Sequence, residues 1–409
     1  MPSATGAATA AYRAARAELP AAHFRPLDGV TVSSIGLGTY LGEEDDQADR
    51  GYGQAIVDAA NLGCNLLDTA INYRAQRSER VIGQALVALE REGGFAREQF
   101  VVCTKGGYIP FDGVPVDPAQ YVRDTYVRPG ILEPEDVVGG GHAMSPRYLE
   151  DQLGRSLRNL GLAAVDVYYV HNPETQLGSV PRKAFLARIR AAFEMLERQV
   201  AAGRVGRYGV ATWNGFRTRP DAREHLSLAE MVREAETVAG HGHHFKVIQL
   251  PYNLAMHEAY AAATQVVEGE RLTPLEAAAR FGIAVMASAS ILQGQLSHRL
   301  PQAMADAFPG STPGRSAPSS SCARRRASPP RWSAWAGAST WRRTSPSRAP
   351  SHARRASSRS SGRPRRTPSG GHPYHPRLHA PRRPGRDRPG GRPARGQGHP
   401  AHRGLRDGR

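Results

Sequence analysis

Four side chains able to bind or donate protons close short apolar runs: Asp68 in LLDTAINY, Tyr73 five residues on, Lys105 at the end of FVVCTK, and His171 in VYYVHNP. A carboxylate, a phenol, an ammonium and an imidazole are the groups that donate hydrogen bonds or protons to a reacting oxygen. Each alone is more often structural. Lys105 carries more information, because the chain has 51 Arg and only three Lys (Lys105, Lys183, Lys246), so a lysine stands where composition would have supplied arginine. A compact ammonium changes its pKa when desolvated, and a guanidinium does not.

These groups converge only if the runs that carry them are parallel strands whose carboxyl ends share one mouth. Seven near-continuous apolar runs fit that requirement: TVSSIGLGTYL, CNLLDTAINY, QFVVCTKGG, VDVYYVHNP, GRYGVATW, KVIQLPYN and IAVMASAS. Strands covered on both faces read this way. Amphipathic stretches lie between them, with Ser78, Ser145 and Thr273 where N-caps belong and Gly161, Gly203, Gly240 and Gly282 where helices should stop. Strict alternation means a parallel sheet with right-handed crossovers. Seven units of about 35 residues suit an α/β fold of the (β/α)8 TIM-barrel type that lacks its eighth strand-helix unit. No G-x-G-x-x-G opens a helix after the first strand, which argues against an open dinucleotide-binding sheet. The expected divisions are a leader over 1–29, poorly ordered or helical; the barrel over 30–310, with a long rim loop over 106–144 that reads as a lid or substrate wall; and a disordered tail over 311–409.

Charge follows these divisions. Residues 311–409 hold 24 Arg, no Lys, 2 acidic residues and 15 of the 31 prolines, a net of +22, whereas 1–310 carry a net of −5. Clustered arginine can bind phosphates, but this tail has neither periodic apolar pattern nor large aliphatics, so disorder is the expectation and nucleic acid is not an expected partner. Cys64, Cys103 and Cys322 are far apart and lack metal-ligand spacing, so no metal is expected. No run reaches the length of a membrane span, and the Ala-rich start has no apolar signal core. A cytoplasmic protein of unknown oligomeric state is expected.

LLDTAINY, VVCTK, YYVHNP, YGVATW and VIQLPYN, in this order and spacing, resemble the aldo-keto reductases over residues 30–310. The resemblance implies a catalytic tetrad of Asp68, Tyr73, Lys105 and His171, a nicotinamide cofactor (NADPH, with NADH possible) and a small carbonyl or alcohol substrate. Tyr73 would give the proton, Lys105 would stabilise its phenolate, Asp68 would hold Lys105, and His171 would orient the substrate oxygen. Gln249 would bind the nicotinamide carboxamide, with Thr39 approaching the cofactor from the first strand. Thr212 follows Ala211 where the family has Ser-Asn, Asn214 could substitute there, and Ser288 takes the place of a stacking tyrosine. The alternatives are a non-catalytic barrel, such as a regulatory or channel-subunit-like relative, or an inactive truncated product.

The resemblance also implies an eighth strand near ALVGM and an adenosine-binding motif near HVEENL, and neither follows Gly310. Read one nucleotide earlier, the codons of residues 332–336 permit Leu-Val-Gly-Met-Gly. In the same frame those of 340–346 permit His-Val-Glu-Glu-Asn-Leu-Ala, and those of 319–323 permit Ile-Gln-Phe-Val-Arg. The tail therefore reads as an out-of-frame translation of the missing unit.

Overall fold

The computed structural model describes residues 3–294 together with Ser333–Ala334. The chain opens with helix α1 (Gly6–Ala14), then an antiparallel hairpin of β1 (Phe24–Leu27) and β2 (Val30–Ser33). Of the two alternatives expected for the leader, α1 gives the helical one, and the first expected strand is two: β2 belongs to the hairpin and β3 (Ile35–Gly38) to the barrel. The Asp28-Gly29 turn explains the hairpin, since both residues have positive φ (41° and 86°), the conformation a tight two-residue connection needs.

From β3 the chain alternates through α2 (Asp46–Asn61), β4 (Leu66–Asp68), α3 (Arg77–Arg91) and β5 (Val101–Gly106). Short α4 (Pro118–Val122) lies in the rim loop and leads to α5 (Pro146–Leu160), β6 (Val165–His171), α6 (Arg182–Ala201) and β7 (Val205–Ala211). The rest is α7 (Leu228–Ala239), β8 (Phe245–Pro251), short α8 (Glu258–Ala261), a second hairpin of β9 (Gln265–Val267) and β10 (Glu270–Leu272), α9 (Pro274–Arg280) and β11 (Ala284–Ser288). Strands β3, β4, β5, β6, β7, β8 and β11 lie side by side in that order, all parallel, as the alternation required. This is the (β/α)8 barrel architecture through its seventh strand.

Both faces of the strands are covered. Val101, Cys103, Val167, Tyr169, Val247 and Met286 cluster together inside, and Val102, Tyr168, Val170 and Ile248 pack outward with the helices. The first hairpin closes the floor, its Leu27, Val30 and Val32 joining the inner cluster. Arg207 of β7 ties the hairpin turn down, donating from Nε to Asp28 Oδ2 at 3.1 Å, and a buried ion pair holds the start of the chain: Arg97 Nη2 donates to Asp166 Oδ2 at 2.8 Å, and Asp166 also accepts from the Val102 and Ala4 amides at 2.7 and 2.6 Å. Thr273 caps α9 in a full capping box, and Gly161 ends α5 at φ 65°. Ser78 does not cap α3; Gln76 takes that place and the Ser78 hydroxyl donates to the Thr39 carbonyl at 2.7 Å.

No parallel eighth strand is present among the described residues. Ser333–Ala334 (β12) instead pairs antiparallel with β3, Ser333 against Gly36 and Ala334 against Ile35. The edge of β3 is thus met at two residues, by tail residues for which disorder was the expectation. The codon-shifted segments at 319–323 and 340–346 lie outside the described residues.

Candidate active site

The site begins with a buried charge pair. Lys105 is fully buried at the mouth of β5, and its Nζ donates to Asp68 Oδ2 at 2.8 Å and to the Thr69 carbonyl at 2.7 Å. Gln249, from β8 across the barrel, donates from Nε2 to the other Asp68 oxygen at 3.1 Å. Burial pushes the Asp68 carboxyl up, against the downward pull of the Lys105 charge. A buried ammonium needs such a partner, because an unpaired one costs several kcal/mol.

Tyr73 stands over this pair with Lys105 Nζ 4.9 Å from its ring centroid, and packs edge-on against Tyr40 (4.9 Å) and His171 (5.9 Å). Burial raises the Tyr73 phenol well above its ordinary value, and the Asp68 charge adds to that. The Lys105 ammonium gives its hydrogen bonds to Asp68 and Thr69 and sets its charge beside the Tyr73 ring. The turn after Tyr73 is held in a conformation L-residues avoid: Arg74, Ala75 and Gln76 have φ of 50°, 49° and 70°. At about 1–2 kcal/mol per residue, such a run persists only when its surroundings enforce it. Arg74 does so, buried and donating from Nε to the Glu43 carbonyl at 2.8 Å and from Nη2 to Asp49 at 2.6 Å. Sequence reasoning missed Arg74, because its partners lie 25 and 31 residues earlier and the motif gives no local sign of them.

His171 ends β6. Its Nδ1 is buried with no hydrogen-bond partner among the described residues. An N–H there would go unsatisfied, so the ring hydrogen belongs on Nε2. Burial and the Lys105 charge hold the His171 pKa well below the usual histidine range, which keeps the ring neutral. The rim loop grips this strand end. His142 Nε2 donates to the His171 carbonyl at 2.7 Å, while its Nδ1 accepts from Gln176 at 2.8 Å. Gly107 (φ 149°) allows the approach, since a Cβ there would stand 2.9 Å from both His142 Nε2 and the His171 oxygen. The loop is an ordered wall with its own small core of Tyr126, Leu132, Ala143 and Tyr148, and it sets Tyr108 edge-on to His171 at 5.3 Å.

The expected cofactor positions divide. Thr212 and Gln249 adjoin, the Thr212 amide donating to the Gln249 carbonyl at 2.8 Å, and the Thr212 hydroxyl is buried with no partner among the described residues. The Thr39 hydroxyl bonds to the Thr69 hydroxyl at 2.9 Å. Asn214 turns its side-chain oxygen to Arg217 at 3.3 Å. Ser288 ends β11, half-buried, its carbonyl accepting from the Tyr252 amide at 3.2 Å. Among the described residues no cluster of His, Cys, Asp or Glu could hold a metal.

The aldo/keto reductase family model matches residues 34–307, which include all four strand-end groups and their neighbours. The chain belongs to the aldo/keto reductase family. Its relatives include the Escherichia coli NADH-specific methylglyoxal reductase, 28% identical over 213 residues (49% of this chain, 54% of the relative), and a putative voltage-gated potassium channel subunit beta from Schizosaccharomyces pombe, 26% identical over 204 residues (47% and 48%). The chain thus spans about half the length of the curated relatives it matches. Among solved structures it is similar to a glycerol dehydrogenase from Gluconobacter oxydans, with 20% identity, a TM-score of 0.45, and 69% and 68% of the two chains covered.

His142 lends this family member a pH signature. Burial lowers its pKa to about 4, so below pH 6.5 the unfolded chain takes a proton that the fold refuses, and stability falls as pH drops from about 6.5 toward 4. Between pH 7 and 4.5 the unfolding free energy of the wild type should fall by about 2 kcal/mol relative to His142→Asn, at about 1.4 kcal/mol per pKa unit. Urea titrations across that range check it, and parallel curves for the two proteins would refute it.

Proposed function

We propose that this chain encodes an oxidoreductase of the aldo-keto reductase type, reducing a small carbonyl to an alcohol or running the same chemistry backwards, in the cytoplasm. The observation that carries the reading is the convergence of the buried Asp68–Lys105 pair, Tyr73, and a neutral His171 with its hydrogen on Nε2. Carbonyl reduction needs a hydride on carbon and a proton on oxygen, and a bound nicotinamide cofactor supplies the hydride. Tyr73 gives the proton from its hydroxyl. Its raised pKa keeps the proton in place until charge develops on the substrate oxygen, and Lys105 then stabilises the phenolate left behind. His171 donates from Nε2 to the same oxygen and fixes it beside Tyr73. The Tyr108 ring, edge-on to His171, supplies a wall beside the reacting oxygen.

The unpaired Thr212 hydroxyl beside Gln249 fits a carboxamide, which has both a donor and an acceptor to offer. Gln249 would turn to it from Asp68. We assign NADPH as the cofactor, with NADH the alternative that the name of the E. coli relative carries. The similarity to a channel subunit keeps a non-catalytic barrel as the second reading, and the intact set of four groups weighs against it.

We further propose that the tail is an out-of-frame translation of the eighth unit. A two-residue antiparallel strand beside β3 brings its starting end, not its carboxyl end, to the mouth. The adenosine-binding motif that the family resemblance implies is replaced by the Arg-rich sequence. The nucleotide sequence around codon 310 decides this directly.

Two outcomes follow. In a frame-restored chain, Tyr73→Phe should lower carbonyl reduction at least ~100-fold with little change in cofactor affinity, since the proton path is cut and no cofactor contact is lost; near-normal turnover would remove Tyr73 from the mechanism. The chain as it stands should bind NADPH at least ~100-fold more weakly than the frame-restored one, because charge-assisted contacts worth about 1.5–3 kcal/mol each are gone. Fluorescence titration of both chains measures this, and equal affinities would contradict it.

A further inference from the structure

Glu174 lies three residues past His171 and takes no part in the chemistry above. Asn172, in the left-handed region at φ 43°, reverses the chain after β6, and Pro173 opens a short helical turn over Pro173–Gly178. The Glu174 side chain is thereby carried beneath the loop that follows β7. Its Oε1 accepts three consecutive main-chain amides, from Trp213 at 2.8 Å, Asn214 at 3.1 Å and Gly215 at 3.4 Å. Successive amides aimed at one point form the concavity that proteins use to hold anions, and here the anion is the chain's own carboxylate.

The other oxygen, Oε2, is buried with no partner among the described residues. Burial has pushed the carboxyl up to about 7, and the loop amides only partly offset it. Burying a carboxylate with one oxygen unsatisfied is unfavourable, so the arrangement calls for a reason beyond loop closure. That reason lies at the start of the same loop. Thr212 is tied to Gln249 through its amide, and its hydroxyl is buried with no partner among the described residues. The three amides that follow Thr212 point to Glu174.

We propose that Glu174 is a positioning residue for the cofactor's nicotinamide end: its buried carboxylate gathers the Trp213, Asn214 and Gly215 amides and so fixes the Thr212 hydroxyl beside Gln249. The assignment rests on the reading of Thr212 and Gln249 as carboxamide contacts. Glu174 acts from behind the loop and touches neither substrate nor cofactor. It joins the end of β6, which carries His171, to the end of β7, so the strand that orients the substrate and the loop that orients the cofactor share one brace.

The test uses the full chain and two variants. Glu174→Gln keeps the shape and an acceptor oxygen but removes the charge, and Glu174→Ala removes the acceptor. Hydrogen exchange without cofactor should show the amides of residues 213–215 exchanging about fivefold faster in Glu174→Gln and at least tenfold faster in Glu174→Ala, with β6 and β8 unchanged. NADPH titration should show Kd rising in the same order, about threefold and at least tenfold. In a frame-restored chain the KM for NADPH should rise likewise while kcat at saturating NADPH stays within about twofold, a split that general loosening of the fold would not give. If the alanine variant fails to fold, the glutamine variant carries the test. Unchanged exchange at 213–215 would overturn the brace. Faster exchange with unchanged NADPH affinity would overturn its role toward the cofactor. A frame-restored chain with protected amides and no NADPH binding at millimolar concentration would overturn the functional reading and this role with it, while leaving the brace standing.

Discussion

A fully buried ammonium sets the terms for this structure. Lys105 has no contact with solvent, so the fold must supply a counter-charge and fill the remaining donor positions with oxygen. Asp68 and the Thr69 carbonyl do so, and both come from the end of β4. The second Asp68 oxygen then needs a donor, which β8 provides through Gln249. One buried charge thereby links three strands around the mouth. It also sets the neutrality of its neighbours, since the Lys105 charge adds to burial in keeping His171 deprotonated.

The loops beyond the strand ends are braced by the same kind of interaction. Buried polar side chains reach main-chain atoms far from them in sequence: Arg74 to the Glu43 carbonyl, His142 to the His171 carbonyl, and Glu174 to three amides of the loop after β7. Main-chain partners are fixed once the chain path is fixed, so these side chains lock loop geometry without demanding particular neighbours. The strained turn at Arg74–Gln76 shows the strength of the bracing, because three consecutive left-handed residues would relax without it. Tyr73 leads directly into that turn, and its ring position depends on it.

The sequence made the barrel legible because the signals were local. Near-continuous apolar runs, spaced by amphipathic segments and closed by Asp68, Lys105 and His171, appear in the structure as parallel strands with those residues at their carboxyl ends. The floor hairpin escaped notice although Asp28-Gly29 is a strong turn signal, because its four-residue strands are short and Pro26 argues against a strand. Ser78 met the local pattern of an N-cap, but the Thr39 carbonyl competed for its hydroxyl across 39 residues. Long-range pairing also hid the hydrogen bond of Gln249, since its partner Asp68 lies 181 residues away. Thr39 and Asn214 likewise had partners that spacing could not show. The role of Glu174 was invisible for the same reason: nothing in HNPE announces three amides some 40 residues later.

Asp68 and Lys105 act as one unit, and a double-mutant cycle measures this directly. Asp68→Asn, Lys105→Met and the pair combined would be compared by urea unfolding of the full chain. Each single change leaves a buried group unsatisfied and should cost about 3–5 kcal/mol, while the double variant, with no orphaned charge, should cost less than their sum by at least about 2 kcal/mol. Costs that add to within about 0.5 kcal/mol would show that the two residues stabilise the mouth independently, and would contradict the account.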